Sequence, residues 1–151
     1  MLDDEDRRLL RRFQDDPGLT VPELAEAVRL SVQQVQRRLD KLRQRGVLKA
    51  VRSVIDWGRL GYAVEVSLRF TLDKTQGRAF DEFLAAAREV PEVIEIQTFV
   101  GRVDVRLHVI ARDMAHYQRL YRERILTLPH IAELEALMHV ATIKAEETVP
   151  L

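Results

Sequence analysis

The chain of 151 residues contains no cysteine. That absence excludes disulfide frameworks, thiolate zinc sites and cysteine nucleophiles. Glycine is scarce, with six residues, and no glycine-rich phosphate loop or Gly-x-Ser-x-Gly elbow is present. Only four histidines occur, at His108, His116, His130 and His139. None forms a His-x-x-x-His pair or another metal-ligand spacing with carboxylates, so neither a metal nor a cofactor is expected. No apolar run is long enough for a membrane helix, and no membrane partner is expected. The first residues, Met1-Leu2-Asp3-Asp4-Glu5-Asp6, are acidic, opposite to the basic start of a signal peptide. A cytoplasmic location is expected. Internal repeats and low-complexity tracts are also missing. What remains is a globular chain that does not look like an enzyme.

Net charge is also missing, but its zero conceals segregation. Residues 1–60 hold 13 Lys/Arg against 10 Asp/Glu, and the remainder holds 11 against 14. From Arg29 to Arg59 there are nine basic residues and two acids, Asp40 and Asp56. Such segregation fits either a polyanion partner or a solvated basic face.

Three helices are legible in the first third. Leu2, Leu9, Leu10 and Phe13 lie on one stripe, with acids crowding the first turn where the helix dipole favours them. Pro17-Gly18 ends this helix. Thr20-Val21-Pro22-Glu23 has the order of a capping box and opens a second helix, whose buried face is Leu24, Ala25 and Val28. Ser31-Val32-Gln33-Gln34 repeats that order and opens a third helix, which runs to about Arg45 and stops at Gly46. Its apolar stripe is Val32, Val35, Leu39 and Leu42. The opposite face carries Gln33, Arg37, Asp40 and Lys41, with Gln34 beside it. Residues Val47–Ile55 then read as a strand, and Trp57–Gly61 as a joint.

The second half alternates strands and helices. Tyr62 to Leu72 is apolar at every second residue, the pattern of a half-buried strand. A helix is expected over 75–89, with Phe80, Phe83, Leu84, Ala87 and Val90 inward. Strands are expected over 93–100 and 103–109, separated by a turn at Gly101. Asp113 caps a helix to about Leu128, with Met114, Tyr117, Leu120, Tyr121 and Ile125 inward, and a last strand spans 131–143. The order β-α-β-β-α-β predicts an α+β chain: a helix-turn-helix joined to a ferredoxin-like antiparallel sheet with both helices on one face. The expected divisions are 1–50 for the helical domain, 51–61 for a strand or linker, and 62–151 for the sheet domain.

A helix-turn-helix lays its second helix in the major groove of double-stranded DNA. Gln33, Gln34 and Arg37 are candidates for base contact, since Gln pairs with adenine and Arg with guanine through two hydrogen bonds. Thr20, Ser31, Arg38 and Lys41 are candidates for phosphate contact. Arg38 lies nearer the buried stripe and reads equally as structural. The helical pattern taken alone also fits a three-helix module that binds protein.

The chain resembles the Lrp/AsnC family of feast/famine transcription regulators. The resemblance is carried by Leu2-Asp3-x-x-Asp6-x-x-x-Leu10, Glu23-Leu24-Ala25, Leu30-Ser31-x-x-x-Val35-x-Arg37-Arg38-x-x-x-Leu42, Gly46-Val47-Leu48 and Leu60-Gly61. It continues through Pro91-x-Val93, Gly101-x-x-Asp104, Arg112-Asp113-Met114-x-x-Tyr117 and Thr142-Ile143-Lys144-x-x-x-Thr148-x-Pro150-Leu151. It implies a DNA-binding regulator that forms a homodimer through its sheet domain and assembles further into tetramers or octamers. It also implies an effector, an amino acid or related small metabolite, at the turn Gly101, Arg102, Val103 and Asp104. There a glycine turn exposes N–H groups to a carboxylate, and Asp104 faces an α-ammonium. A plain hairpin turn capped by Asp104 fits the same residues. Two positions depart from the family: Val103 stands where an aromatic is common, and Arg102 where an acid is common. They leave open a different effector or an empty site. The alternatives are a small-molecule-binding oligomer without DNA binding and a decarboxylase-type enzyme on the same fold. For the last, His108 and His139 would matter as possible neighbours across the sheet.

Overall fold

The computed structural model describes residues 1–145 and 148–151. They pack into two compact units, Met1–Val54 with Lys144–Leu151, and Ile55–Ile143.

The first unit is built on three capped helices: α1 (Asp4–Asp15), α2 (Val21–Val28) and α3 (Val32–Gln44). Each N-terminus closes a reciprocal capping box, through Asp3 and Asp6, Thr20 and Glu23, and Ser31 and Gln34. Two otherwise unpaired backbone donors are satisfied each time. Leu9, Phe13, Leu24, Ala25, Val28, Val35, Leu39 and Leu42 form the core between the helices. Helix α3 ends in a Schellman turn: the amide of Val47 donates to the Leu42 carbonyl at 2.9 Å and that of Gly46 to Arg43 at 2.9 Å. Gly46 takes the left-handed φ of 67° that this turn needs. The same hydrogen-bond pattern ends α2, but there a non-glycine, Arg29, holds φ at 57°. The C-terminal residues belong to this unit. The Gln14 side chain donates to the Val149 carbonyl and accepts from its amide, both at 3.0 Å.

The second unit is the expected split βαβ sandwich. Strands β1 (Val64–Leu72), β2 (Val93–Thr98), β3 (Val105–Ala111) and β4 (Ile131–Met138) form one antiparallel sheet in the order β2-β3-β1-β4. Helix α4 (Ala79–Arg88) and helix α5 (Met114–Leu120), which continues as a π-helical turn (Tyr121–Ile125), cover one face. The period-two side of β1, Val66, Leu68, Phe70 and Leu72, is fully buried against Phe83, Ala87, Tyr117 and Leu120. Phe70 and Phe83 meet as tilted rings 4.8 Å apart at the centre of this core.

The structure corrects several local expectations. No strand forms over Val47–Ile55. Its apolar residues have neither a period of two nor a partner strand among the described residues, and Val51, Val54 and Ile55 are exposed. Helix α4 begins at Ala79, four residues late; Ala79 shares the buried face with Phe83 and Ala87, and Phe80 lies outward of it. Met114 and Val32 sit in first helical turns and are exposed rather than core. Strand β4 stops at Met138 rather than 143.

Candidate functional site

The first candidate surface is the outer side of α3. With Val35, Leu39 and Leu42 buried, the rotation of 100° per residue leaves Gln33, Gln36, Arg37, Asp40, Lys41 and Gln44 on a continuous outward stripe. These residues, with Val21 and Val32, line an open groove of about 610 Å³. Arg37 and Lys41 are exposed and make no ion pair or hydrogen bond among the described residues. Gln33 is likewise free and exposed.

The remaining expected DNA contacts are placed differently. Thr20 and Ser31 are exposed N-caps, so their hydroxyls are occupied with helix amides at 3.4 and 3.2 Å. Gln34 is committed in part, because its side-chain oxygen accepts from the Ser31 amide at 2.9 Å. Arg38 points away from the stripe. One of its nitrogens reaches Asp3 at 2.8 Å and Asp6 at 2.7 Å, and the other pairs with Glu5. These carboxylates, with Asp3 first, raise the pKa of Arg38, and Arg38 in turn holds Asp3 below the usual carboxylate range. Arg38 therefore latches α3 to the start of α1. Gln36 and Gln44 escaped the sequence reading, although their spacing of three and eleven from Gln33 puts them on the same face.

The second candidate surface is the hairpin between β2 and β3. Gly101 adopts φ of 153°, a backbone that L side chains rarely take, although the space beside it is open. The loop closes through Phe99, whose amide donates to the Asp104 carbonyl at 2.9 Å, and through the Thr71 hydroxyl, which donates to the Arg102 carbonyl at 2.8 Å. No hydrogen bond is made by the amides of 100–103 among the described residues, so four successive donors are open. The Arg102 side chain is exposed and unpaired among the described residues, and Val103 is half-buried.

Asp104 is the buried member of this turn. One carboxylate oxygen accepts from the Leu72 amide at 2.8 Å, and the other pairs with Lys74 at 2.7 Å. Burial alone would raise its pKa. The hydrogen bonds from Lys74 and Leu72 outweigh that and hold it below the usual carboxylate range. Val103 also borders a cleft of about 340 Å³ with Arg69, Gln97, Phe99 and Arg106. Arg69 and Arg106 sit directly opposite each other in the β1–β3 ladder, on the face without helices.

The histidines resolve as local pairs. His108 contacts Glu65 at 2.6 Å and His139 contacts the other oxygen of Glu65 at 3.4 Å, so the two are neighbours through a carboxylate. Trp57 stands edge-on to His108 at 6.0 Å. No group of three or more His, Cys, Asp or Glu among the described residues could hold a metal ion. No helix among them is long and apolar enough to cross a membrane.

Two stretches of the chain match known domain families. Residues 2–49 match the profile of a winged helix-turn-helix DNA-binding domain, and residues 65–149 that of the Lrp/AsnC ligand binding domain. The HTH-type transcriptional regulator Rv2324 of Mycobacterium tuberculosis is 32% identical over 94% of each chain. The proline dehydrogenase transcriptional activator of Rhodobacter capsulatus is 29% identical over 100% of this chain and 98% of its own. Among solved structures, the transcriptional regulator NMB0573 of Neisseria meningitidis, in complex with L-Met, shares the fold. Its TM-score is 0.90 at 23% identity, over 99% of this chain and 97% of that one.

Proposed function

Because the chain belongs to the Lrp/AsnC family of transcriptional regulators, we propose that it reads DNA with the outer face of α3 and answers an effector at the Gly101–Asp104 turn. The observation that carries the DNA reading is the free pair Arg37 and Lys41 on a stripe that also presents Gln33. Arg37 and Gln33 are suited to base edges, whereas Lys41 and the N-termini at Thr20 and Ser31 suit phosphates. Arg38 and the side-chain oxygen of Gln34 act indirectly, by fixing the pose of α3.

At the turn, the four open amides and Arg102 favour a carboxylate group. Asp104 holds the loop rather than the ligand, since both its oxygens are engaged. An amino acid or related metabolite would satisfy the donors. The solved N. meningitidis relative, which holds L-Met, lends fold-level support. Self-association would use the helix-free sheet face, where Arg69, Arg106, Glu65, Glu95 and Glu135 offer both charge signs to a symmetric copy. An effector changes regulation only if it binds one assembly or head spacing more tightly than another.

A salt titration tests the DNA reading. Counterion release predicts that log affinity falls linearly with log salt. No measurable binding to duplex DNA at low salt would refute it. For the turn, thermal shift with the twenty amino acids is expected to raise Tm for at least one of them, and Arg102→Glu to abolish that rise. A rise that survives in the variant would place the ligand elsewhere.

A further inference from the structure

An acid on a DNA-facing stripe needs a reason. Asp40 lies between Arg37 and Lys41 on the groove of α3, in the midst of the chain's most basic segment. It gives the helix no dipole benefit, because it sits in the C-terminal half where a negative charge is unfavourable. It also repels phosphate. Yet it is held firmly. The Gln36 side-chain amide donates to both carboxylate oxygens, at 3.0 and 3.1 Å, and one guanidinium nitrogen of Arg43 reaches Oδ1 at 3.2 Å. About half of the Asp40 side chain stays exposed. A carboxylate has roughly four lone-pair sites. Three are used, so an acceptor remains on an oriented, solvent-facing group.

We propose that Asp40, braced by Gln36 and Arg43, is a specificity-determining residue of the α3 face and selects cytosine in the major groove. The inference rests on the DNA reading above. Residues 33, 36, 37 and 40 follow the i, i+3, i+4, i+7 spacing by which a homeodomain helix reaches base edges, so Asp40 is in register with the expected readers. A fixed carboxylate accepts from the cytosine N4 amino group. It meets only acceptors on guanine, at N7 and O6, and an acceptor with a methyl group on thymine. On adenine it meets a donor, N6, beside the acceptor N7. Cytosine alone offers a donor without a neighbouring acceptor. Gln36 acts as a positioning residue: its amide nitrogen is committed to the carboxylate, and this sets the direction of the remaining acceptor.

The test is selection of randomised duplexes by the full-length protein, followed by sequencing, for the parent, Asp40→Asn and Gln36→Ala. All three contacts are on the surface, so the variants are expected to fold, which circular dichroism verifies. The parent should show one strongly preferred cytosine. Asp40→Asn should weaken that preference by about tenfold or more and shift it toward adenine, because Asn pairs with adenine N6 and N7. It should also bind random DNA more tightly, having lost a repulsive charge. Gln36→Ala should weaken the same base position. An unchanged preference in Asp40→Asn, with affinity raised equally for all sequences, would overturn the proposal while leaving the DNA reading intact. A parent chain with no salt-sensitive DNA binding would instead overturn the reading beneath it.

Discussion

Replacing Arg38 by alanine separates a latch from a DNA contact. In the structure this guanidinium faces three carboxylates, and their burial differs sharply. Side-chain exposure is 5% for Asp6, 41% for Glu5, 56% for Asp3 and 20% for Arg38 itself. The exposed partners are screened by solvent and add little. Asp6 sets the magnitude. Without Arg38 its carboxylate keeps, among the described residues, only the Asp3 amide at 3.4 Å, a weak contact. Breaking a buried ion pair costs roughly 3–5 kcal/mol. Discounted for the partial exposure of Arg38, the expected loss is about 2–3 kcal/mol. For a unit of this size each kcal/mol moves Tm by roughly 4–8 °C, so a fall on the order of 10–20 °C is expected. Calorimetry, with hydrogen exchange on the amides of α1 and α3 to assign the melting unit, reads the effect. DNA affinity measured well below the lowered Tm should fall much less than in Arg37→Ala. A variant as stable as the parent but equally impaired on DNA would refute the latch and make Arg38 a phosphate contact.

Other consequences follow from the same contacts. Asp104 has a folded pKa below its ordinary value, so its stabilisation is complete above about pH 4. That stabilisation is lost as pH falls through the depressed value. Acid unfolding of the parent should therefore steepen below about pH 4, Asp104→Asn should flatten that limb, and identical pH profiles would contradict this origin. At neutral pH, Asp104→Ala should cost about 2 kcal/mol, mainly because the buried Leu72 amide loses its acceptor, as Lys74 is largely exposed. Ser31→Ala removes the acceptor for the Gln34 amide and should destabilise the helical unit by about 1 kcal/mol in denaturant titration. A change in DNA affinity without a change in stability would instead make the Ser31 hydroxyl a direct ligand of phosphate.

The elements that stand out in the sequence are those whose pattern is decided locally. Capping boxes at Thr20 and Ser31 marked the starts of α2 and α3, first-turn acids and an apolar stripe marked α1, and the alternation from Val64 to Leu72 identified the central strand. The failures lie where pairing or rotation is decided elsewhere. Val47–Ile55 is rich in β-branched residues, but a strand needs a neighbouring edge, which propensity does not supply. Phe80 was misplaced because, one residue past Ala79, it lies at the edge of the buried stripe of Ala79, Phe83 and Ala87 rather than in it. At the candidate sites, the free face of α3 was legible from the helical period. The fates of individual polar groups were not. Arg38 is taken by Asp3, Glu5 and Asp6 more than thirty residues away, and Asp104 is taken by Leu72 and Lys74. Such long-range partners leave no trace in spacing.

DNA recognition by this chain depends most on whether α3 enters the groove with its Arg37 side. The direct measurement is a footprint and affinity comparison of parent and Arg37→Ala on the selected duplex, across a range of salt concentrations. A loss of roughly 1–3 kcal/mol with relaxed preference at one base position is expected, and unfolding should be unchanged because Arg37 has no partner among the described residues. Equal affinity, equal footprint and equal salt slope in the two proteins would contradict it.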